Sequence, residues 1–395
     1  MIFKFEEKAL KWVCDNIVYI ALGLVVIFTL VIRYGMRDWS NSDMEVCLVP
    51  WYTEIKEYGG LSGIGHPITD CNYNLPYLFL VAIFTYIPVN PVYLFKGLSG
   101  IFDYASACAV AYLVYMIVPE DKDKQLKAAI ALIIALMNPI ALLNSAGWGQ
   151  CDSMYTFFAV MALIFLIKEN YIPSFVFLGL SFCFKLQAVF ILPLFAFYYV
   201  YKRRFSLLYF VIVPVVMEIC SIPAIIAGRG VLDVFRIYLG QTDWFPRLSM
   251  SYPCFWGILN DASVYEGYDE LKNIAILTAV TVLGCFMVFW IKKGIELNAR
   301  NLAYMAYICV FTCVLFLPGM HDRYGYMYEI LMLALVFTSV KLVPVAVGLL
   351  AITLTSYGSY LFEQYANFTM LSWFNTIAYV ASMIIITRIM LKEKE

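Results

Sequence analysis

The chain alternates between apolar segments, about a dozen of them, and short polar connections. Apolar runs occupy 17–35, 93–118, 128–146, 153–167, 171–184, 187–201, 206–226, 272–291, 302–318, 325–340, 342–360 and 372–390. About 20 apolar residues make a helix long enough to cross the hydrocarbon of a bilayer. The segments 171–184 and 187–201 are short for that. They predict tilted helices, or a broken pair turning at Lys185. The run 75–90, bounded by Pro88 and Pro91, is also short and predicts an interfacial or re-entrant helix. The period-two alternation of strands is absent. The predicted fold is therefore all-α: one polytopic domain over residues 1–395, with roughly 11–13 helices by that length rule.

The polar residues are unevenly shared among the connections. The odd-numbered connections, counted from the N-terminus, hold Ser42-Asp43-Met44-Glu45, Gly147-Trp148-Gly149-Gln150-Cys151-Asp152, Phe184-Lys185-Leu186-Gln187, Gln241-Thr242-Asp243-Trp244 and Met320-His321-Asp322-Arg323-Tyr324. Two of these connections are long, 36–92 and 227–271, and connections of that length commonly have a function. The even-numbered ones carry mostly plain Lys and Arg, such as Lys202-Arg203-Arg204. By the positive-inside rule both termini are cytoplasmic and the odd connections extracytoplasmic. Specific chemistry confined to one face suits an enzyme working at that face better than a pore.

Composition agrees. Of 395 residues, 63% are hydrophobic and 14% charged, against roughly 45–50% and 25% in soluble domains. Mean hydropathy is +0.79. A net charge of -1 gives no basic surface for nucleic acid. The run beginning at Ile17 is followed by no A-x-A cleavage site and reads as a retained helix. The eleven Cys show neither CxxC nor metal-ligand spacing. Cys47 and Cys71 share the first long connection and either pair or stay free.

Several residues are of a type and place to carry chemistry. Asp43 and Glu45, just past the first span, are able to take a proton from a hydroxyl, to hold a divalent ion between them, or simply to be solvated loop acids. Lys96 and Asp103 lie two turns apart on one face of a span, where charges are costly and face a cavity or a partner; each can pair with the other or with Asp152 or Lys185. In the Asn144–Ser153 run, Trp148 offers a flat ring suited to stacking on a sugar or an interfacial anchor, Gln150 offers polar contacts, and Asp152 or Ser153 a polar contact or a helix cap. Lys185 and Gln187 interrupt an apolar pair, and Lys185 is a partner for a phosphate or for an acid. His321 and Arg323 at a helix start read as an anion site, with Asp322 and Tyr324 beside them. The Gly59–Gly65 stretch lacks the P-loop lysine and reads as a loop.

Taken in order, these stretches resemble bacterial membrane glycosyltransferases of the GT-C superfamily, in the group related to the enzyme adding the second mannose in GPI-anchor synthesis. The resemblance is carried by Asp43 with Pro50-Trp51, Tyr73-Asn74-Leu75-Pro76-Tyr77, Lys96 with Asp103, Asn144–Ser153, Lys185-Leu186-Gln187 and Leu317–Tyr324. Leu75 stands where the family has Pro. The resemblance implies a polyprenyl-phosphate-sugar donor, a glycan or glycolipid acceptor, and Asp43 as the catalytic base, with Glu45 a second candidate. His321, Arg323 and Lys185 would take the donor phosphate. Glu45, Trp51, Tyr73, Asn74, Lys96, Asp103, Trp148, Gln150, Asp152, Gln187, Asp322 and Tyr324 would contact substrate. No cofactor is expected, although a divalent ion at Asp43 and Glu45 is compatible.

The chemistry fits. A sugar phosphate carries a good leaving group, so transfer needs one base and cationic stabilisation, whereas a glycosidase needs two matched carboxylates. A single displacement inverts the anomeric centre. The expectation is inverting hexosyl transfer, with mannose as the sugar, at the outer face. The alternative is a carrier or flippase for a lipid-linked sugar. Carriers favour internal repeats and mid-membrane sites, and the sequence shows no repeat. A scaffold without catalysis leaves Lys96, Asp103 and Lys185 unexplained.

Overall fold

The computed structural model describes residues 3–120, 123–241, 244–259 and 268–392. Thr242 and Asp243 of the patterns above lie outside them. Among the described residues, eight helices are long and apolar enough to cross a membrane: Ile17–Gly35, Pro91–Ile117, Lys124–Gly147, Leu207–Ala227, Tyr268–Lys293, Ala299–Phe316, Val340–Leu361 and Phe368–Lys392. Five shorter apolar helices, Leu75–Phe84, Asp152–Ile167, Tyr171–Phe184, Leu186–Lys202 and Tyr326–Leu335, complete an all-α integral membrane protein.

Burial explains the differences in helix length. Every residue from Asn301 to Phe316 is buried, as expected of a helix apolar on all sides that stands inside the bundle. Asp152–Ile167 and Tyr171–Phe184 pack together, with Ser181 donating to the Tyr155 carbonyl and Ser174 to that of Ala162. The break between the short segments falls at Lys185, whose backbone is extended. The chain resumes as a 3-10 turn, Leu186–Ile191, that runs into a helix. The 75–90 run forms a helix only over Leu75–Phe84, started by the Asn74 side chain accepting from the Leu75 N–H. It packs against Leu48, Trp51 and Ile55 of the preceding segment in an apolar cluster of its own.

Two features fall outside the sequence reading. An exposed helix, Lys4–Asp15, precedes the first span. Two-residue strands, Ser249–Met250 and Met320–His321, pair in parallel. That pairing is too small to change the fold class, but it fastens the second long connection to the turn carrying His321. Gly319, at φ +74, makes the turn before it; an L side chain would be strained there. All eleven thiols are free, Cys47 and Cys71 included.

Candidate active site

The odd-numbered connections converge on one cavity of about 540 Å³. Its wall takes Asp43 and Trp51 from the first connection, Tyr73 from the end of the same segment, Gln150 from the next, and Lys185 and Gln187 from the break. Trp244 and Phe245 come from the second long connection, His321, Asp322, Arg323 and Tyr324 from the turn, and Tyr360 from a helix end.

Asp43 is the most constrained carboxylate on this wall. Oδ2 accepts from the Trp148 indole N–H at 2.9 Å and from the Gln150 amide at 2.9 Å. Arg323 lies 3.3 Å from the same oxygen. Oδ1 accepts from the Tyr360 hydroxyl at 2.5 Å. Burial alone would push the carboxyl up, but Arg323, the Tyr360 and Trp148 hydrogen bonds and His321 together hold it below the usual carboxylate range. It is ionised near neutral pH and keeps a quarter of its side chain exposed, 24%.

The surrounding chain fixes that geometry. Asn41 donates to the Gly147 and Trp148 carbonyls and accepts from the Met44 N–H, tying the two connections together. Gly149 has φ +74, and a Cβ there would lie 2.4 Å from the Met44 side chain. The positive φ is what favours glycine there; the Met44 methyl is the end of a flexible side chain. Gln150 is oriented in turn by the Tyr73 hydroxyl at 2.7 Å, and Tyr73 is flanked by Trp51 and Tyr77.

Opposite Asp43 stand the basic groups. Lys185 donates to Asp152, which is fully buried and also accepts from Asn144 at 2.9 Å. Arg323 lies 3.5 Å from Asp152 and 3.4 Å from Asp322. Burial, then the charges of Arg323 and Lys185, push the His321 imidazole down to about 3. Near pH 7 it is neutral, with one ring N–H to donate and one lone pair. Burial likewise raises Asp322 to about 7, with Arg323 opposing and Asp43 and Asp152 adding to the rise. Gln187 presents a buried side-chain oxygen with no partner.

Several residues expected to contact substrate lie elsewhere. Glu45 is exposed and off the cavity wall, so it does not face Asp43 across an ion. Trp148 is fully buried, stacked on Tyr360 at 4.6 Å. It has no ring face for a sugar and holds Asp43 instead. Asn74 caps a helix. Lys96 and Asp103 pair neither with each other nor with Asp152 or Lys185. Lys96 donates to the Met36 and Trp39 carbonyls at 2.7 and 2.5 Å, and Asp103 pairs with Arg33 at 2.6 Å and accepts from Ser145 and Tyr326. Asp152 stands behind Lys185 rather than on the cavity wall.

Three structural partners went unnoticed in the sequence. Arg33 sits at the end of an apolar span, the ordinary place of a snorkelling arginine, so its inward turn carries no signal of its own. Asn41 lies two residues before Asp43. Tyr360 is one of 30 Tyr and carries no signal of its own.

The sequence model of glycosyltransferase family 87 matches residues 72–318. No curated protein matches the chain. The matched segment spans more than half of the chain and carries Tyr73, Gln150, Lys185 and Gln187 of the cavity wall; Asp43, His321, Arg323 and Tyr360 lie on its flanks.

Proposed function

The chain belongs to glycosyltransferase family 87, and from that premise we propose that it is a GT-C-like, inverting hexosyltransferase with Asp43 as general base. The donor is a polyprenyl-phosphate sugar, mannose the first to test, and the acceptor a glycan or glycolipid hydroxyl. The observation that carries this reading is the Asp43 carboxylate, ionised by four donors and facing a cavity that also holds His321, Arg323 and Lys185.

In the reaction the acceptor O–H gives its proton to Asp43 while its oxygen bonds to the anomeric carbon. The bond from that carbon to the phosphate oxygen breaks, and the phosphate leaves with the electron pair. No general acid is needed. Arg323 and Lys185 offset the charge on the leaving group, and neutral His321 donates a hydrogen bond to it. A carboxylate held below its usual pKa is a weaker base, but it is fully ionised at working pH and aimed by Trp148, Gln150 and Tyr360.

The cavity's other wall is apolar, with Val189, Phe190, Leu317 and Ile276, the last on the Tyr268–Lys293 helix. Many side chains of that helix are exposed, Ile274, Leu277 and Val280 among them. An apolar helix beside a polar site suits a prenyl chain lying in lipid with its phosphate in the cavity. The Lys- and Arg-bearing even-numbered connections of the sequence support cytoplasmic termini in the cytoplasmic membrane and an extracytoplasmic site.

The test uses purified protein in detergent with polyprenyl-phosphate mannose, glucose and galactose, following release of polyprenyl phosphate. Release from one donor, abolished in Asp43→Asn, is the expected result. Release undiminished in that variant would remove Asp43 from the chemistry.

A further inference from the structure

A second recess opens beside the first, between the two long connections. It has about 370 Å³ and is lined by Pro67, Cys71 and Asn72 on one side and by Arg229, Asp233, Arg236 and Trp244 on the other. Its size falls in the range of small-molecule sites, about 300–1,000 Å³. Asn72 and Trp244 line both recesses, so the two are neighbours on either side of these residues. The junction is braced where the Gln241 side chain donates to the Asn72 carbonyl.

The charge in this recess is unbalanced. Arg229 lies 3.9 Å and Arg236 3.3 Å from the same carboxylate, Asp233. Asp233 also accepts from the Gly230 N–H, which closes the turn ahead of its helix. Among the described residues it is the one carboxylate within ion-pair range of either arginine. Arg229 is additionally fixed by donating to the Ile64 carbonyl at 3.2 Å. Arg236 reaches into solvent, its side chain 69% exposed. Among its described lining residues the recess thus presents one net positive charge, one exposed guanidinium and the half-exposed ring of Trp244. A guanidinium reads a phosphate or carboxylate through paired N–H donors, and an aromatic face beside it suits the apolar side of a sugar ring.

We infer that this recess is the acceptor subsite, and that it selects a sugar carrying an anionic group, phosphate or carboxylate, next to the residue that receives the hexose. The inference rests on the transferase reading above. The arrangement divides the two substrates. The prenyl chain lies against the apolar helix Tyr268–Lys293, and the acceptor comes through the recess between the long connections, past Trp244 and Asn72, to Asp43.

The experiment measures transfer from the accepted polyprenyl-phosphate sugar to three probes: methyl α-mannoside, mannose 6-phosphate, and the same phosphorylated sugar carried on a single-chain lipid. The expected result is an apparent KM at least several-fold lower for both anionic probes than for the neutral one. Arg236→Gln should remove that preference and Arg236→Lys should restore part of it, with the KM for the donor unmoved. Arg236 is exposed, so its loss does not threaten the fold; near-identical melting of the variant checks this. A preference confined to the lipid-borne probe would place the selectivity in the membrane and overturn the subsite. So would equal KM values for neutral and anionic probes, a preference that survives Arg236→Gln, or donor turnover with no probe accepted. Failure of every donor to release polyprenyl phosphate would instead overturn the transferase reading.

Discussion

Two Arg–Asp pairs in this protein are alike on paper and differ in what they are able to do. Arg323 and Asp43 meet at 3.3 Å, and Arg33 and Asp103 at 2.6 Å. Both acids also accept from a tyrosine hydroxyl and from a side chain of the 143–150 segment. Asp43, however, keeps 24% of its side chain exposed to the cavity, whereas Asp103 keeps 3% and is enclosed by three helices. The first pair is open to a reacting group. The second is closed, and its geometry joins the first span, the Pro91–Ile117 helix and the π-helical segment that holds Ser145. The contrast teaches that a charge in an apolar span marks a costly position, and that only access to a cavity turns it into chemistry.

The contrast is broken most sharply by removing each acid. Asp43→Asn should lower transfer by roughly 10²–10⁴, the usual contribution of a general base, with the melting temperature little changed. Asp103→Leu should do the reverse. It leaves the largely buried Arg33 guanidinium without its counter-charge, still donating to Ser145, and should cost about 3–5 kcal/mol of stability. Folded molecules that survive should keep their turnover, and adding Arg33→Met should recover most of the loss. Thermal melting and transfer assays on the same preparations separate the two effects.

Smaller changes sharpen the comparison. Trp148→Phe and Tyr360→Phe each remove one hydrogen bond to the ionised Asp43, worth about 1.5–3 kcal/mol. Each should reduce kcat by roughly ten- to a hundredfold, the rate equivalent of that energy, and leave the donor KM unchanged. A pH-dependent effect concerns Asp322. Its pKa rises from an ordinary 3.8 to about 7 in the folded protein, so between those values the folded state binds the proton that the unfolded chain has released. Stability should therefore fall as pH rises from about 4 to about 7. Asp322→Asn should flatten that slope in denaturation measured across the range.

Much of the architecture was legible because membrane spans are written in consecutive residues. The spans, the break at Lys185 and the convergence of the odd connections all follow from runs and from a simple count of crossings. Helix ends were less legible: the 75–90 run stops being helical at Phe84, where turns take over. The site was legible as a set of segments and illegible as a set of roles. Trp148 and Asp152 sit among the expected residues, yet one is sealed under Tyr360 and the other lies behind Lys185. Those roles depend on partners far along the chain, such as Tyr360 for Asp43 and Arg33 for Asp103, and no local pattern encodes such a pairing. Arg33 ends a span as many snorkelling arginines do, so its inward turn toward Asp103 had no signature.

The most direct test of Asp43 as the reacting base compares the purified protein with Asp43→Asn, measuring release of polyprenyl phosphate from its preferred donor and thermal melting on the same samples. The structure predicts release reduced by at least about a hundredfold, the lower range for loss of a general base, with melting intact. Release at the original rate from a variant that melts normally would contradict it and move the chemistry away from the Asp43–Arg323 cluster.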